Sequence, residues 1–161
     1  MPKPVVALAA AGDNTNGGAW AALADGNVWL VDTRASTSAA KWSAGVTARA
    51  ITVSASGKEI ALGAADGTVM LFDVHGGSVR ERWRRSGAPA ECISFAPGGR
   101  VLVGGEDGLP CLVDVSRGGD DAGLLVSELV FGNVEAVRAL RVIGDLVYMA
   151  GDGGVVRKYQ L

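Results

Sequence analysis

Aspartates and arginines are the side chains whose spacing in this chain invites a chemical reading. Asp25, Asp66 and Asp107 each precede a glycine (Gly26, Gly67, Gly108) at intervals of 41 residues, and Asp152-Gly153 follows as a fourth copy. Carboxylates that converge can hold a hard cation such as Ca²⁺. An Asp-Gly pair between apolar runs has another use, since it suits a two-residue type I′ hairpin with positive φ at both places. A repeating array spreads its copies along one rim, with Glu106 beside them, so turn formation is the expected role and no metal site is expected.

The remaining polar residues assemble no catalytic set. His75 is the single histidine and lies in the loop-like DVHGG, which leaves no Ser-His-Asp or Cys-His arrangement. Cys92 and Cys111 lack metal-ligand spacing and read as reduced, buried thiols. The pairs Gly76-Gly77, Gly98-Gly99 and Gly118-Gly119 lead into no helix, so they read as turns and not as phosphate-binding loops.

The most distinctive charged element is VRERWRR, Val79 to Arg85. As a strand it sets Arg80, Arg82 and Arg84 on one face and Glu81, Trp83 and Arg85 on the other. Arginines around a tryptophan suit an acidic protein partner or a nucleic-acid backbone. The plainer alternative is a solvated outer strand whose Trp83 packs inward, and the recurrence of tryptophan at Trp42, 41 residues earlier, favours that packing.

The elements that must carry these residues repeat with the same period. ALADGNVWLVD closes at Asp32, ALGAADGTVMLFD at Asp73, VLVGGEDGLPCLVD at Asp114 and VYMAGDGGVVRKYQ at Gln160. The copies divide into short runs. First runs are Val5 to Ala10, Ala50 to Ser54, Cys92 to Ala96 and Val137 to Ile143; second runs are Ala19 to Ala24, Ile60 to Ala64, Val101 to Gly105 and Leu146 to Ala150. Third runs are Val28 to Val31, Val69 to Phe72, Cys111 to Val113 and Val155 to Tyr159. A more polar fourth run carries Trp42 and Trp83 and becomes Leu124 to Phe131 in the third copy, after a loop lengthened around Gly118 to Asp121. Both alternating faces of Val69 to Phe72 are apolar, which implies cover on both sides.

A period near 41 built from four such strands predicts an all-β β-propeller of four blades in one domain, residues 1–161. Blade boundaries fall near 4–44, 48–86, 90–131 and 134–161, and the last blade lacks an outer strand. So short an array is expected to be half or part of a larger ring.

The segment GAADGTVMLFDV, Gly63 to Val74, resembles the WD-repeat signature, in which a small-residue strand and an Asp-Gly turn lead to an apolar strand closing on Trp-Asp. Val31-Asp32, Phe72-Asp73, Val113-Asp114 and Tyr159-Gln160 hold the closing place. Tryptophan is replaced at each, and the Gly-His dipeptide that opens the family's repeats is absent. The turn aspartates therefore lack the histidine partner the resemblance would imply, and local Asx-type bonds are expected instead.

The resulting expectation is a non-catalytic WD-repeat-like scaffold for protein–protein interaction, an assembly subunit whose open propeller is completed by a second copy or by a partner chain. Arg80, Arg82, Trp83, Arg84, Arg85, Tyr159 and Leu161 are the partner-binding candidates. One alternative is a small-molecule-binding or enzymatic site in the central channel, although the innermost runs supply mainly Val5, Ala7, Ile51, Val53, Ile93, Phe95 and Leu140. Another is nucleic-acid contact through Arg80 to Arg85, against a net charge of −2 that provides no global basic field. No cofactor or small-molecule substrate is expected. The apolar start MPKPVVALAAAG aligns with ARAITVSASG and AECISFAPGG, so the repeat accounts for it without a targeting role. No segment approaches the roughly 18 apolar residues of a membrane span, and a soluble intracellular protein is expected.

Overall fold

Short runs of small and β-branched residues, broken every few places by Gly, Asp or Ser, favour strands and turns over helices. The structure is a computed structural model that describes residues 3–11, 17–32, 34, 37–116, 125–128 and 135–161, with the backbone alone described at 37–41 and 125–128. All regular structure among the described residues is β-strand.

Four antiparallel sheets follow one another in the chain. The first holds β1 (Val5–Ala10), β2 (Ala19–Leu23), β3 (Asn27–Asp32) and β4 (Thr37–Ser43); the second holds β5 (Ala48–Val53), β6 (Glu59–Ala64), β7 (Thr68–Asp73) and β8 (Ser78–Arg84). The third holds β9 (Ala90–Ala96), β10 (Arg100–Gly105), β11 (Cys111–Asp114) and β12 (Leu125–Glu128), and the fourth holds β13 (Val137–Ile143), β14 (Leu146–Gly151) and β15 (Val156–Gln160). β5 and β9 begin two residues earlier than the sequence pattern indicates. The expected outer run Leu124 to Phe131 is described at Leu125–Glu128; its remaining residues and the Gly118 to Asp121 loop lie outside the described residues.

Inside each sheet the strands pair in chain order, and the inner strands stack β1 on β5, β5 on β9 and β9 on β13. Three apolar clusters fill the joints. Trp20, Ala22 and Val28 meet Ile60, Leu62, Met70 and Phe72 between the first two blades. Ala61, Val69 and Leu71 meet Val101, Val103 and Val113 in the second joint, and Leu102 and Leu112 meet Val147 and Met149 in the third. The two alternating faces of β7 thus serve two different joints, which is why Val69, Met70, Leu71 and Phe72 are all apolar and all buried.

Close stacking depends on small residues in the second strands. A Cβ at Gly104 would lie 2.8 Å from both the Cys92 sulfur and Val137 Cγ1, so a larger residue there would push the fourth blade's inner strand away.

The hairpins differ from the expected two-residue turns. Gly26, Gly67 and Gly108 donate their N–H groups to the carbonyls of Leu23, Ala64 and Gly105 at 3.0, 3.2 and 3.2 Å. Each aspartate is therefore the second central residue, and the glycine that follows takes the left-handed conformation, at φ +81°, +81° and +69°. The physical reason is the aspartate carboxylate, which accepts the N–H two places on from Asn27 (3.1 Å), Thr68 (3.0 Å) and Leu109 (3.1 Å). In the fourth copy the closing donor is Gly154, with φ +68°, to Gly151 at 3.2 Å. Asp152 and Gly153 are its central residues, so Gly153 stands where the other copies have aspartate, one place off the expected alignment.

Each inner strand also carries a bulge. Pairing skips one residue between Val5 and Ala7, Ala48 and Ala50, Ala90 and Cys92, and Val137 and Ala139. Val6, Arg49, Glu91 and Arg138 are the inserted residues.

Candidate functional site

The arginine strand β8 is bulged as well. Leu71 pairs with Glu81 and Phe72 with Val79, so Arg80 is the extra residue and alternation is lost at that point. Arg80 accordingly leaves the face of Arg82 and Arg84 and reaches the carbonyl of Val115 in the third blade, while ion-pairing with Glu59. Trp83 packs on the same side, against the second joint. Arg85 goes further inward. Its side chain is 3% exposed, and it donates to the Asp107 carboxylate and the Leu109 carbonyl of the third blade.

Asp107 is held from both sides, since Ser86 Oγ donates to its second oxygen at 2.8 Å. Burial pushes its pKa up, but the Arg85 bond, the Leu109 N–H and Ser86 outweigh it and hold the carboxyl below 3.8. Arg84 donates its Nε to the carbonyls of Asp66 (3.1 Å) and Ser86 (3.2 Å). The expected cluster is thus divided. Arg80, Trp83 and Arg85 bind the second blade to the third, while Arg82 and Arg84 remain exposed on the outer surface.

The rim carboxylates do not converge. Asp25 and Asp66 are lowered chiefly by the backbone N–H groups of Asn27 and Thr68, their own turn bonds. Asp152 is lowered by Arg138, whose Nε and second guanidinium nitrogen reach its two oxygens at 2.8 and 3.1 Å, while a third nitrogen contacts Glu106 at 3.3 Å. Among the described residues no three His, Cys, Asp or Glu side chains gather as a cation would require. A second aspartate series, at the last residues of β3, β7 and β11, escaped the sequence reading as turn chemistry. Asp32, Asp73 and Asp114 accept the N–H groups of Arg34 (2.8 Å), His75 (2.9 Å) and Ser116 (3.0 Å).

Cys92 and Cys111 are buried and form no disulfide, and burial pushes the Cys92 thiol up to about 12, which keeps it protonated at neutral pH. A hollow of about 390 Å³ lies where the β5–β6, β9–β10 and β13–β14 loops approach, lined by Ser54, Ser56, Glu59, Phe95 and Val142 among others. Its polar groups are engaged locally: Ser54 Oγ accepts the Glu59 N–H at 3.0 Å, and the Glu59 carboxylate pairs with Arg80. Among the described residues no helix is long and apolar enough to cross a membrane.

The ends of the stack hold residues the sequence reading passed over. Leu8 on β1 is 67% exposed, whereas Ile51 and Ile93, its counterparts on β5 and β9, are 8% and 7% exposed. Leu8 pairs across the sheet with Ala21 and Ala21 with Trp29, one row on the end face of the first blade, along which Ala21 is buried and Trp29 half-buried. At the other end Val156 is 68% exposed, and its counterpart Val69 is fully buried. Beside Val156, the row Arg141, Tyr148, Lys158 runs across the fourth blade's uncovered face. Tyr159 and Leu161, expected to face a partner, turn the other way and pack on the cluster between the third and fourth blades. Alternation explains it, because Tyr159 occupies the inward register with Val147 and Met149.

No known protein family and no curated protein matches the chain. Solved structures do. The chain is similar to the β-propeller domain of Myceliophteria thermophila Cps50 (Swd1) at 15% identity and TM-score 0.82, over 99% of this chain and 52% of that one. It is also similar to the computationally designed Ika4 protein at 20% identity and TM-score 0.79, over 100% of this chain and 93% of that one. The fold is a β-propeller, seen here as an open, incomplete ring. The chain spans about half the length of the Cps50 (Swd1) domain.

Proposed function

We propose that this chain is a non-catalytic, WD-repeat-like scaffold for protein–protein interaction, an assembly subunit whose open propeller is completed by other protein. The observation that carries the reading is the exposure of Leu8 and Val156 on the two end faces of the described stack, where their counterparts Ile51, Ile93 and Val69 are buried in the internal joints. Further support comes from β15, whose outer edge pairs with no strand among the described residues and offers backbone donors and acceptors for β-augmentation. Arg82 and Arg84 supply an exposed cationic strip for an acidic partner. The compartment that suits two buried cysteines outside any disulfide is a reducing, intracellular one. Protein partners also accord with the similarity to a propeller domain, a fold that displays loops on two rims of a rigid stack.

Hydroxyl-radical footprinting tests this. Leu8, Tyr148 and Val156 should be protected in the assembly isolated under native conditions and labelled in the dilute chain. Equal labelling of all three in both samples would remove the basis for the proposal.

A further inference from the structure

We infer that the rim of the second blade docks a short acidic segment of a partner protein, with an apolar side chain of that segment seated in the hollow between the β5–β6, β9–β10 and β13–β14 loops. The inference rests on the scaffold reading above and names the chemistry of one thing the scaffold holds. The floor of the 390 Å³ hollow is apolar, made by Phe95, Ala96 and Pro97 of the third blade and Val142 of the fourth. A second hollow of about 250 Å³ continues it over the second blade, past Lys58, Asp73 and Arg80. The two share Ser56 and Glu59 in their walls, so they form one trough with an apolar end and a charged end. An elongated trough of that kind suits an extended peptide.

The bonding capacity left over in the trough is all donor. Glu59 is held by Arg80, and Asp73 accepts the His75 N–H at 2.9 Å, so both carboxylates are served. Ser54 Oγ accepts the Glu59 N–H at 3.0 Å, Ser56 Oγ accepts the Lys58 N–H at 3.4 Å, and the two hydroxyls bond each other at 3.2 Å. Two hydroxyl protons serve one mutual bond, which leaves one proton over. Lys58 is exposed, and its ammonium pairs with no carboxylate among the described residues. A carboxylate takes both kinds of donor, so charge complementarity selects an acidic segment.

The third blade shows that the turn itself does not require this set. Where the second blade reads ITVSASGKEI the third reads ISFAPGGRVL, with Ala96 and Gly98 in place of Ser54 and Ser56. Arg100, in the place of Lys58, folds its Nε back onto the Pro97 carbonyl at 2.7 Å. The second blade's loop is pinned instead by its own backbone, Ser54 N–H to the Glu59 carbonyl at 2.9 Å and Gly57 N–H to the Ser54 carbonyl at 2.8 Å. Its donors are therefore held in place before any partner arrives.

Fluorescence anisotropy with the dye-labelled pentapeptide Gly-Asp-Phe-Asp-Gly tests this on the 161-residue chain. The peptide should bind saturably with Kd below about 1 mM. Replacing its phenylalanine by alanine, or both aspartates by asparagine, should weaken binding at least about fivefold. Lys58→Glu should weaken the aspartate peptide by a similar factor and favour Gly-Lys-Phe-Lys-Gly in its place, an exchange of preference that damage to the fold does not produce. Lys58 is exposed, so the variant should keep the parent's circular dichroism spectrum.

Absence of saturable binding, equal binding of the alanine peptide, or an unchanged preference in Lys58→Glu overturns the inference. Octanoate that displaces the peptide at the peptide's own Kd overturns it too, by assigning the hollow to a small amphipathic acid. Footprinting at Leu8, Tyr148 and Val156 decides the scaffold reading separately, because none of the three lines the trough.

Discussion

The first and second joints are built on the same repeat positions and held by different chemistry. Between the first two blades Trp42 stacks on Trp20 at 4.8 Å between ring centroids and on Phe72 at 5.7 Å, with interplanar angles of 16° and 6°. Between the second and third, Trp83 lies against aliphatic residues, and two residues further on Arg85 crosses to Asp107 where the first copy has Ala44. One joint is an aromatic stack and the other adds a buried ion pair. The repeat fixes where a blade is gripped, and single substitutions decide whether that grip responds to charge.

Breaking each joint should expose the contrast. Trp42→Ala removes the middle ring of the stack and should cost about 4 kcal/mol by urea unfolding, with little dependence on salt or pH. Arg85→Ala leaves Asp107 without its cation and should cost about 3 kcal/mol at neutral pH. Replacing both partners by apolar residues of similar size should recover much of that loss, which a double-mutant cycle would measure.

A backbone change on the second blade comes next in size. Gly67 has φ +81°, and a Cβ there would collide with the Ser86 carbonyl and lie 2.8 Å from that of Ala88. Gly67→Ala should therefore destabilise by about 2 kcal/mol, from the left-handed backbone and the displaced linker together.

The smallest effect separates the joints by pH. Asp107 is held below 3.8 in the folded chain, so its contribution is complete above that value and is lost as pH falls through the lower folded one. Thermal unfolding of the parent should lose more stability on acidification than that of Arg85→Ala, while Trp42→Ala should keep the parent's slope. Identical slopes in all three proteins would show that the ion pair does not distinguish the second joint.

Much of this architecture is written in local pattern. The 41-residue spacing, the apolar runs and the Asp-Gly pairs place the strands within a residue or two, because alternation and turn chemistry are short-range. Two-sided burial of β7 follows from Val69 to Phe72 alone. The misplaced features are those that one inserted residue decides. Arg80 changes sides because of a bulge that β-strand alternation cannot anticipate, and the fourth turn slips because Gly153 and Gly154 offer two glycines where the other copies offer one. Arg85 reads as a surface cation in any linear scan, since its carboxylate lies 22 residues away in another blade. The exposed ends were legible in principle. Leu8 and Val156 are apolar at positions whose counterparts Ile51, Ile93 and Val69 are buried, but that signal emerges only once the inward and outward registers are assigned.

The four inner-strand bulges separate stability from variation. Val6, Arg49, Glu91 and Arg138 each stand outside the pairing ladder, and none belongs to a joint cluster. Adjacent ones already communicate weakly, Arg49 with Glu91 at 3.9 Å. The molecule thus has one off-ladder letter per blade, at the same repeat position each time. Val6 can be rewritten most freely, because Arg49 and Glu91 face each other across two blades and Arg138 already ties Glu106 of the third blade to Asp152 of the fourth.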